Sequence, residues 1–215
     1  MIKIGLDLAF RTVGIAILDT ETNALEYTSH RIKQGIEILD TQFEMINFIF
    51  EYIQEHLSSS HVLIIEKVFY GKDFESVKNT AMTQGGVVDR YRCLMGQTPR
   101  FFMATTVRNN VGLTAWASKA EIQRFVIDRF KLGTISADTL KELSESIEKY
   151  NLEYKRLMHR KKTVKAGGLK RKINKELLTL KREHNNHLTR ISTKIKKETN
   201  IDEHIADAIV LAMGG

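Results

Sequence analysis

KIGLDLAFRTVGIAIL, residues 3–18, holds two short runs of apolar and β-branched residues broken at Arg11 and Thr12. Runs of that length bounded by turn-forming residues read as strands, here 3–8 and 13–19, with a third at 27–33 beyond Thr22 and Asn23. Asp7 stands inside the first of them, between Leu6 and Leu8. A carboxylate in an apolar strand is costly unless it is paired, hydrogen-bonded or metal-bound. A plain turn carboxylate at the strand end is the alternative.

Working outward, the period changes from Glu37 to Leu57, where Leu39, Phe43, Ile46, Phe50, Ile53 and Leu57 recur at helical spacing and predict one apolar helix stripe. Residues 61–66 form another buried-type strand, in which VLII leads directly into Glu66. A strand that ends on an acid presents it at the edge of the sheet, where sites in α/β folds lie. An ion pair with Lys67 is the simpler reading of that residue. A helix is expected over 76–95, with a weak spot at Gly85 and Gly86, and a fifth strand over 101–105 behind Pro99. Ser118, with Glu121 three residues on, predicts the cap of a helix running to Phe130 and ended by Gly133. The order predicts an α/β fold: a mixed five-stranded sheet flanked by helices.

IDEHIADAIVLA, residues 201–212, supplies the clearest local pattern. His204 and Asp207 lie three apart and project from one helix face. Ile205, Ala208, Ile209 and Ala212 suit packing on a sheet, and Ala208 permits close approach. Asp202 and Glu203 are acids of the kind a helix N-terminus favours. Glu203 is four residues from Asp207 and competes with His204 for a place in a site; His204 is preferred. Asp7, Glu66, His204 and Asp207 together would hold hard divalent cations, magnesium or manganese. Two such ions about 3.5–4 Å apart activate water on one side of a phosphate and stabilise the leaving oxygen on the other. His204 could instead orient or deprotonate the attacking water.

Composition sets the frame for that chemistry. The chain has 215 residues, 42% of them apolar, enough for one packed domain with a sizeable insertion. No apolar run reaches membrane-helix length, and no secretory pattern opens the sequence. The single cysteine, Cys93, excludes an internal disulfide and a cysteine zinc cluster, so a reduced cytoplasmic setting is expected. Net charge is +7 and unevenly placed. Between Ser136 and Asn200 there are 18 Lys/Arg against 8 Asp/Glu, a net of +10, which leaves 15 against 18, a net of −3, elsewhere. Such asymmetry suits a polyanionic partner, with a lysine-rich solvated face as the alternative. Within that segment Leu140, Leu143, Ile147, Tyr150, Tyr154 and Leu157 form one stripe, and Ile173 through Ile195 another, with Gly167 and Gly168 between. An antiparallel helical hairpin would bury both. The expected division is therefore 1–133 with 200–215 as one domain and 134–199 as the inserted hairpin.

The motifs resemble those of RuvC-type Holliday-junction resolvases of the ribonuclease H-like superfamily, the kind found in bacteria and their phages. The resemblance rests on Asp7 followed by Arg11 and Gly14, on EKVFYGKD from Glu66, and on AMTQGGV around Gln84 to Gly86. TTVRNNVGLTAWASKAEIQ and the closing HIADAIVLA complete it. It implies a ribonuclease H-like sheet, a homodimer with two sites, magnesium-dependent paired nicks across a four-way DNA junction, and a cytoplasmic setting in a bacterial or phage-infected cell. By position it implies that Asp7, Glu66, His204 and Asp207 form the metal site. Phe69 matches an aromatic wedge at the branch point, with a core phenylalanine as the alternative; Lys72, Arg108 and Lys119 match DNA-contacting basic residues. LAF after Asp7 departs from the family's usual Pro-Gly-Ser, and the basic hairpin lies outside its compact pattern. A looser structure-selective nuclease acting on flaps, forks and three-way junctions, and a non-catalytic branched-DNA binder, are the competing readings. A mere binder has no need of a carboxylate cluster that repels phosphate. A nuclease of RNA–DNA hybrids shares the superfamily, but the element after Glu66 favours the resolvase branch.

Overall fold

The computed structural model describes residues 1–57, 60–68, 73–164 and 167–215. These divide into two compact units, one of Met1–Ala117 with Asp202–Gly215 and one of Ser118–Ile201.

The first unit is built on a five-stranded mixed sheet. β1 (Ile2–Ala9), β2 (Thr12–Asp19) and β3 (Leu25–Arg31) form an antiparallel meander. β4 (His61–Glu66) and β5 (Arg100–Phe102) add in parallel, in the order β3-β2-β1-β4-β5. β2 is buried along nearly its whole length, as its run of Val13, Ile15, Ala16, Ile17 and Leu18 requires of a central strand. Helix α1 (Ile38–Ile53) and helix α2 (Phe74–Met95) join the sheet in the core around Met45, Ile49, Phe50, Val87 and Tyr91. The expected mixed sheet is present, with β5 shorter than anticipated. TTVRNN turns into a short helix, α3 (Ala104–Asn110), where no helix was anticipated.

Helix α1 corrects the expected stripe. Leu39 and Phe43 are 71% and 68% exposed, and the buried face runs through Gln42, Met45, Ile49 and Ile53. The helix carries two apolar rows, and the sheet took the one at strict i, i+4 spacing from Met45. Ile46 lies between them and packs where Gly86 of α2 leaves room, since a Cβ there would sit 2.4 Å from its Cδ1.

The last helix, α7 (Glu203–Gly214), lies on the sheet with almost nothing between. Asp202 caps it by accepting from the Ile205 amide at 2.9 Å, and Ser29 of β3 donates to the other Asp202 oxygen at 2.9 Å. Ala208 and Ala212 are fully buried. A Cβ added at Gly5 would come within 2.2 Å of the Ala208 carbonyl oxygen, and one at Gly14 within 2.0 Å of that of His204. Backbone contact of this kind is possible only because β1 and β2 each present a glycine there.

The second unit holds α4 (Lys119–Phe130), α5 (Ala137–Thr163) and α6 (Gly167–Thr199). Ser118 and Glu121 form the capping box expected of them. The helix turns out at Lys131, in the left-handed region at φ 57°, two residues ahead of Gly133. α5 and α6 pair as the expected basic hairpin over a seam of Leu143, Leu157, Ile173, Leu188, Ile191 and Ile195. Tyr150 stacks on His184 with ring centres 4.1 Å apart, which places both in the seam. α4 packs on α6, where the buried Gln123 amide donates to the Ile201 carbonyl at 2.7 Å.

The glycine contacts make opposite predictions at two sites. Gly14→Ala forces backbone apart and should lower stability by at least about 2 kcal/mol. Gly85→Ala, in open space on α2, should raise it by about 0.5–1 kcal/mol. Urea unfolding of both variants checks the signs.

Candidate active site

Parallel pairing of β1 and β4 aligns Leu6 with Ile65, so the next residues, Asp7 and Glu66, stand at the same level, Asp7 still paired with Gly14 of β2 and Glu66 ending β4. Glu66 is the last residue of β4, and its carbonyl accepts from the Gln84 side chain of α2 at 2.8 Å. Between these strand ends and the first turns of α2, at Ser76 and Thr80, lies a cleft of about 170 Å³.

Helix α7 brings the other two residues over the same strand ends. His204 Nδ1 lies 2.6 Å from an Asp7 oxygen, with side chains 24% and 17% exposed. Burial pulls the His204 imidazole down, but the hydrogen bond and charge of Asp7, with the charges of Glu203 and Asp202, outweigh it and leave its pKa raised. Glu203 is 3.8 Å from the far nitrogen of His204, so the imidazole, not Glu203, meets Asp7. One turn on, Asp207 accepts from Arg108 of α3 at 3.3 Å. α3 is held against α7, where Gly214 leaves no space for a Cβ beside the Val107 carbonyl and accepts from Asn110.

Glu66 registers the crowding. Burial, then the charges of Asp7 and Asp207, push its carboxyl up to about 7, with Arg108 opposing. Asp7 and Glu66 line one small cleft together with Lys67, and Asp207 acts on Glu66 through its charge. Among the described residues no three of His, Cys, Asp and Glu converge as ready-made metal ligands. Asp7 is turned onto His204 and Asp207 onto Arg108 instead. The oxygen donors nevertheless match a hard divalent cation in chemistry.

The remaining residues are placed as follows. Phe69 and Lys72 lie outside the described residues. Lys119 is exposed at the first position of α4, in the second unit. Arg11 donates to the Lys33 and Ile36 carbonyls and braces the chain after β3, away from the cluster. Sequence reasoning gave no site role to Gln84 beyond its motif, yet it anchors the strand end that carries Glu66. The buried spacing of α2 carries no signal that would have singled it out.

Sheet order, strand directions and the helix laid over β1 and β2 define the ribonuclease H-like fold. Among solved structures the chain is similar to RuvC of Thermus thermophilus in complex with a Holliday-junction substrate, at TM-score 0.54 and 9% identity, over 100% of this chain and 91% of that one. A second Thermus thermophilus RuvC structure aligns at TM-score 0.48 and 14% identity, over 60% of this chain and 79% of that one. The ethanolamine utilization protein EutJ of Carboxydothermus hydrogenoformans aligns at TM-score 0.39 and 11% identity, over 100% and 90%. The first likeness shows the RuvC fold; the other two add no argument. No protein-family model and no curated protein sequence matches the chain. Among the described residues no helix is long and apolar enough to cross a membrane.

The raised Glu66 carboxyl has a thermodynamic consequence. In metal-free protein the folded state holds this proton more tightly than the unfolded chain, whose carboxyl titrates near 4.5. The contribution of Glu66 to stability should therefore fall as pH rises from about 4.5 to about 7 and level off above. Glu66→Gln removes the penalty. It should match the parent below pH 4.5 and exceed it above pH 7 by up to about 3 kcal/mol, measured by chemical unfolding across that range.

Proposed function

We propose that this protein is a metal-dependent endonuclease that cleaves branched DNA and resolves four-way junctions by paired nicks. The observation that carries the reading is that Asp7 of β1 and Glu66 of β4 line one cleft, while His204 of α7 meets Asp7 at 2.6 Å and Asp207, one turn on, adds its charge at Glu66. A structural ion pair needs no third carboxylate, and a phosphate-binding surface is weakened by one. The fold supports the same reading, since the first similar structure is a RuvC with a Holliday junction.

Asp7, Glu66, His204 and Asp207 would hold magnesium, or manganese in its place, with two ions per site. Ions held there would activate water and stabilise the leaving oxygen of a phosphodiester. The chain's own part is to aim the donors and manage protons. His204 fixes the direction of the Asp7 carboxylate and, in its neutral form, can take a proton from water beside it. Arg108 balances Asp207 and offers a guanidinium to a phosphate oxygen. Lys119, Phe69 and Lys72 are assigned to DNA contact on motif position alone.

Paired nicks need two sites, and a homodimer supplies them. The support is the apolar surface on α1 and α2, where Leu39, Phe43, Phe74 and Met82 are between 48% and 71% exposed. Leu39→Lys with Phe43→Lys should shift the protein towards monomer in sedimentation at micromolar concentration; an unchanged distribution would place the contact elsewhere.

The central test uses a synthetic mobile four-way junction with magnesium or manganese. Wild type should give symmetric nicks, and Asp7→Asn should cut on the order of 10³-fold more slowly or not at all while still binding. Equal cutting by both proteins would remove Asp7 from the chemistry. Equal cutting of flaps and three-way junctions by wild type would favour the broader structure-selective nuclease.

A further inference from the structure

The cations of the hairpin are concentrated at its far end. Residues 155–175 contain ten Lys/Arg and no Asp or Glu, whereas 136–154 contain two Lys/Arg against five acids. The end that joins α5 to α6 is therefore strongly positive, and the opposite end of α5 mildly negative. Two tip arginines are committed to ion pairs, Arg156 with Glu153 and Arg160 with Glu176.

Their distribution around the hairpin is more telling than their number. Leu157 and Ile173 fill the seam between the helices. Measured from that seam, Lys155, His159 and Lys162 fall on the outward face of α5, and Arg171, Lys175 and Arg182 on the outward face of α6. All six are exposed. Because the seam faces are turned to each other, the two ridges point to opposite sides of the hairpin. At 1.5 Å per residue they run about 10 Å and about 16 Å.

We propose that the hairpin tip is a two-sided cationic wedge that seats between two duplex arms of a branched DNA, one phosphate backbone against each ridge. The assignment rests on the branched-DNA reading above and names the part of the partner this unit would hold. A single linear duplex can engage only one ridge at a time, so a second one adds nothing for it. A membrane surface fits less well: binding in the plane of a bilayer needs an apolar face opposite the basic one. Here most of the apolar residues meet in the seam, and the exposed Leu152, Leu169 and Leu178 stand apart from one another and form no continuous face.

The test is binding without any metal ion, to a four-way junction and to a linear duplex of equal length in base pairs. One variant carries Lys155→Gln and Lys162→Gln, another Arg171→Gln, Lys175→Gln and Arg182→Gln, and a third all five. Glutamine keeps the helix, which circular dichroism verifies. Each single-face variant should bind the junction about tenfold less tightly at 0.1 M salt, and the slope of log affinity against log salt should become shallower by about 2 and about 3. Each should stay within about threefold of wild type on linear duplex, and the five-fold variant should lose affinity for both. Equal losses on junction and duplex from one face would overturn the two-sided wedge, as would no loss at all. A control with Lys141→Gln, Lys149→Gln and Arg190→Gln removes three charges nearer the other end; if it behaved like the tip variants, net charge would be the cause and the wedge would fall. Loss of binding to vesicles containing phosphatidylserine, with DNA binding intact, would transfer the tip to a membrane partner. If the binding pattern held but no junction were ever cut, the nuclease reading would fail and the wedge would stand.

Discussion

Everything in the first unit turns on the distance between α7 and the sheet. Side chains from opposite ends of a 215-residue chain meet only because helix backbone touches strand backbone at Gly5 and Gly14. The register makes the arrangement specific, since Gly14 is the residue paired with Asp7 across β1 and β2. The space a side chain would take at Gly14 is filled by the carbonyl of His204, and the His204 imidazole then reaches Asp7. Ala208 and Ala212 keep the helix low over β1, and the cap formed by Asp202 with Ser29 sets where the helix begins. A methyl group at Gly14 would meet the His204 carbonyl oxygen at 2.0 Å, so helix and strand would have to separate and the His204–Asp7 contact would be disturbed.

Such closeness has an electrostatic cost. Burial of Glu66 first, and then the charges of Asp7 and Asp207, make it hold its proton towards neutrality. Arg108 and His204 relieve the charge only in part. Cores do not retain unrelieved carboxylates without reason, since apolar replacements of similar size are often more stable. The cost is coherent if divalent cations are what the site is shaped to take.

Much of this was legible in the sequence because short-range pattern and final environment agree. β1, β2 and β4 are apolar runs long enough for a buried strand, and the Ser118–Glu121 cap has a purely local cause. His204 and Asp207 share a face by helix geometry alone, and the small residues after them announced close packing. Helix α1 was misjudged at Leu39 and Phe43 because two apolar rows compete on it and only the sheet selects between them. α3 was missed because seven residues with two adjacent threonines carry no periodic signal; its support is the contact with Gly214 more than a hundred residues away. The pairing of Arg108 with Asp207 and of Gln84 with the Glu66 carbonyl are likewise long-range facts. The choice of His204 over Glu203 at Asp7 depends on how α7 rotates about its axis, which its cap and the sheet glycines determine together.

The central claim is that Asp7, Glu66 and Asp207 belong to one ion-binding pocket. The most direct measurement is carbon-detected NMR of side-chain carboxyls during addition of substoichiometric manganese, whose unpaired electrons broaden nearby signals. The account predicts that Asp7, Glu66 and Asp207 broaden together at the first additions, while Asp138 and Glu148 of the hairpin stay sharp. Broadening of Asp7 without Asp207, or of hairpin acids before either, would contradict it.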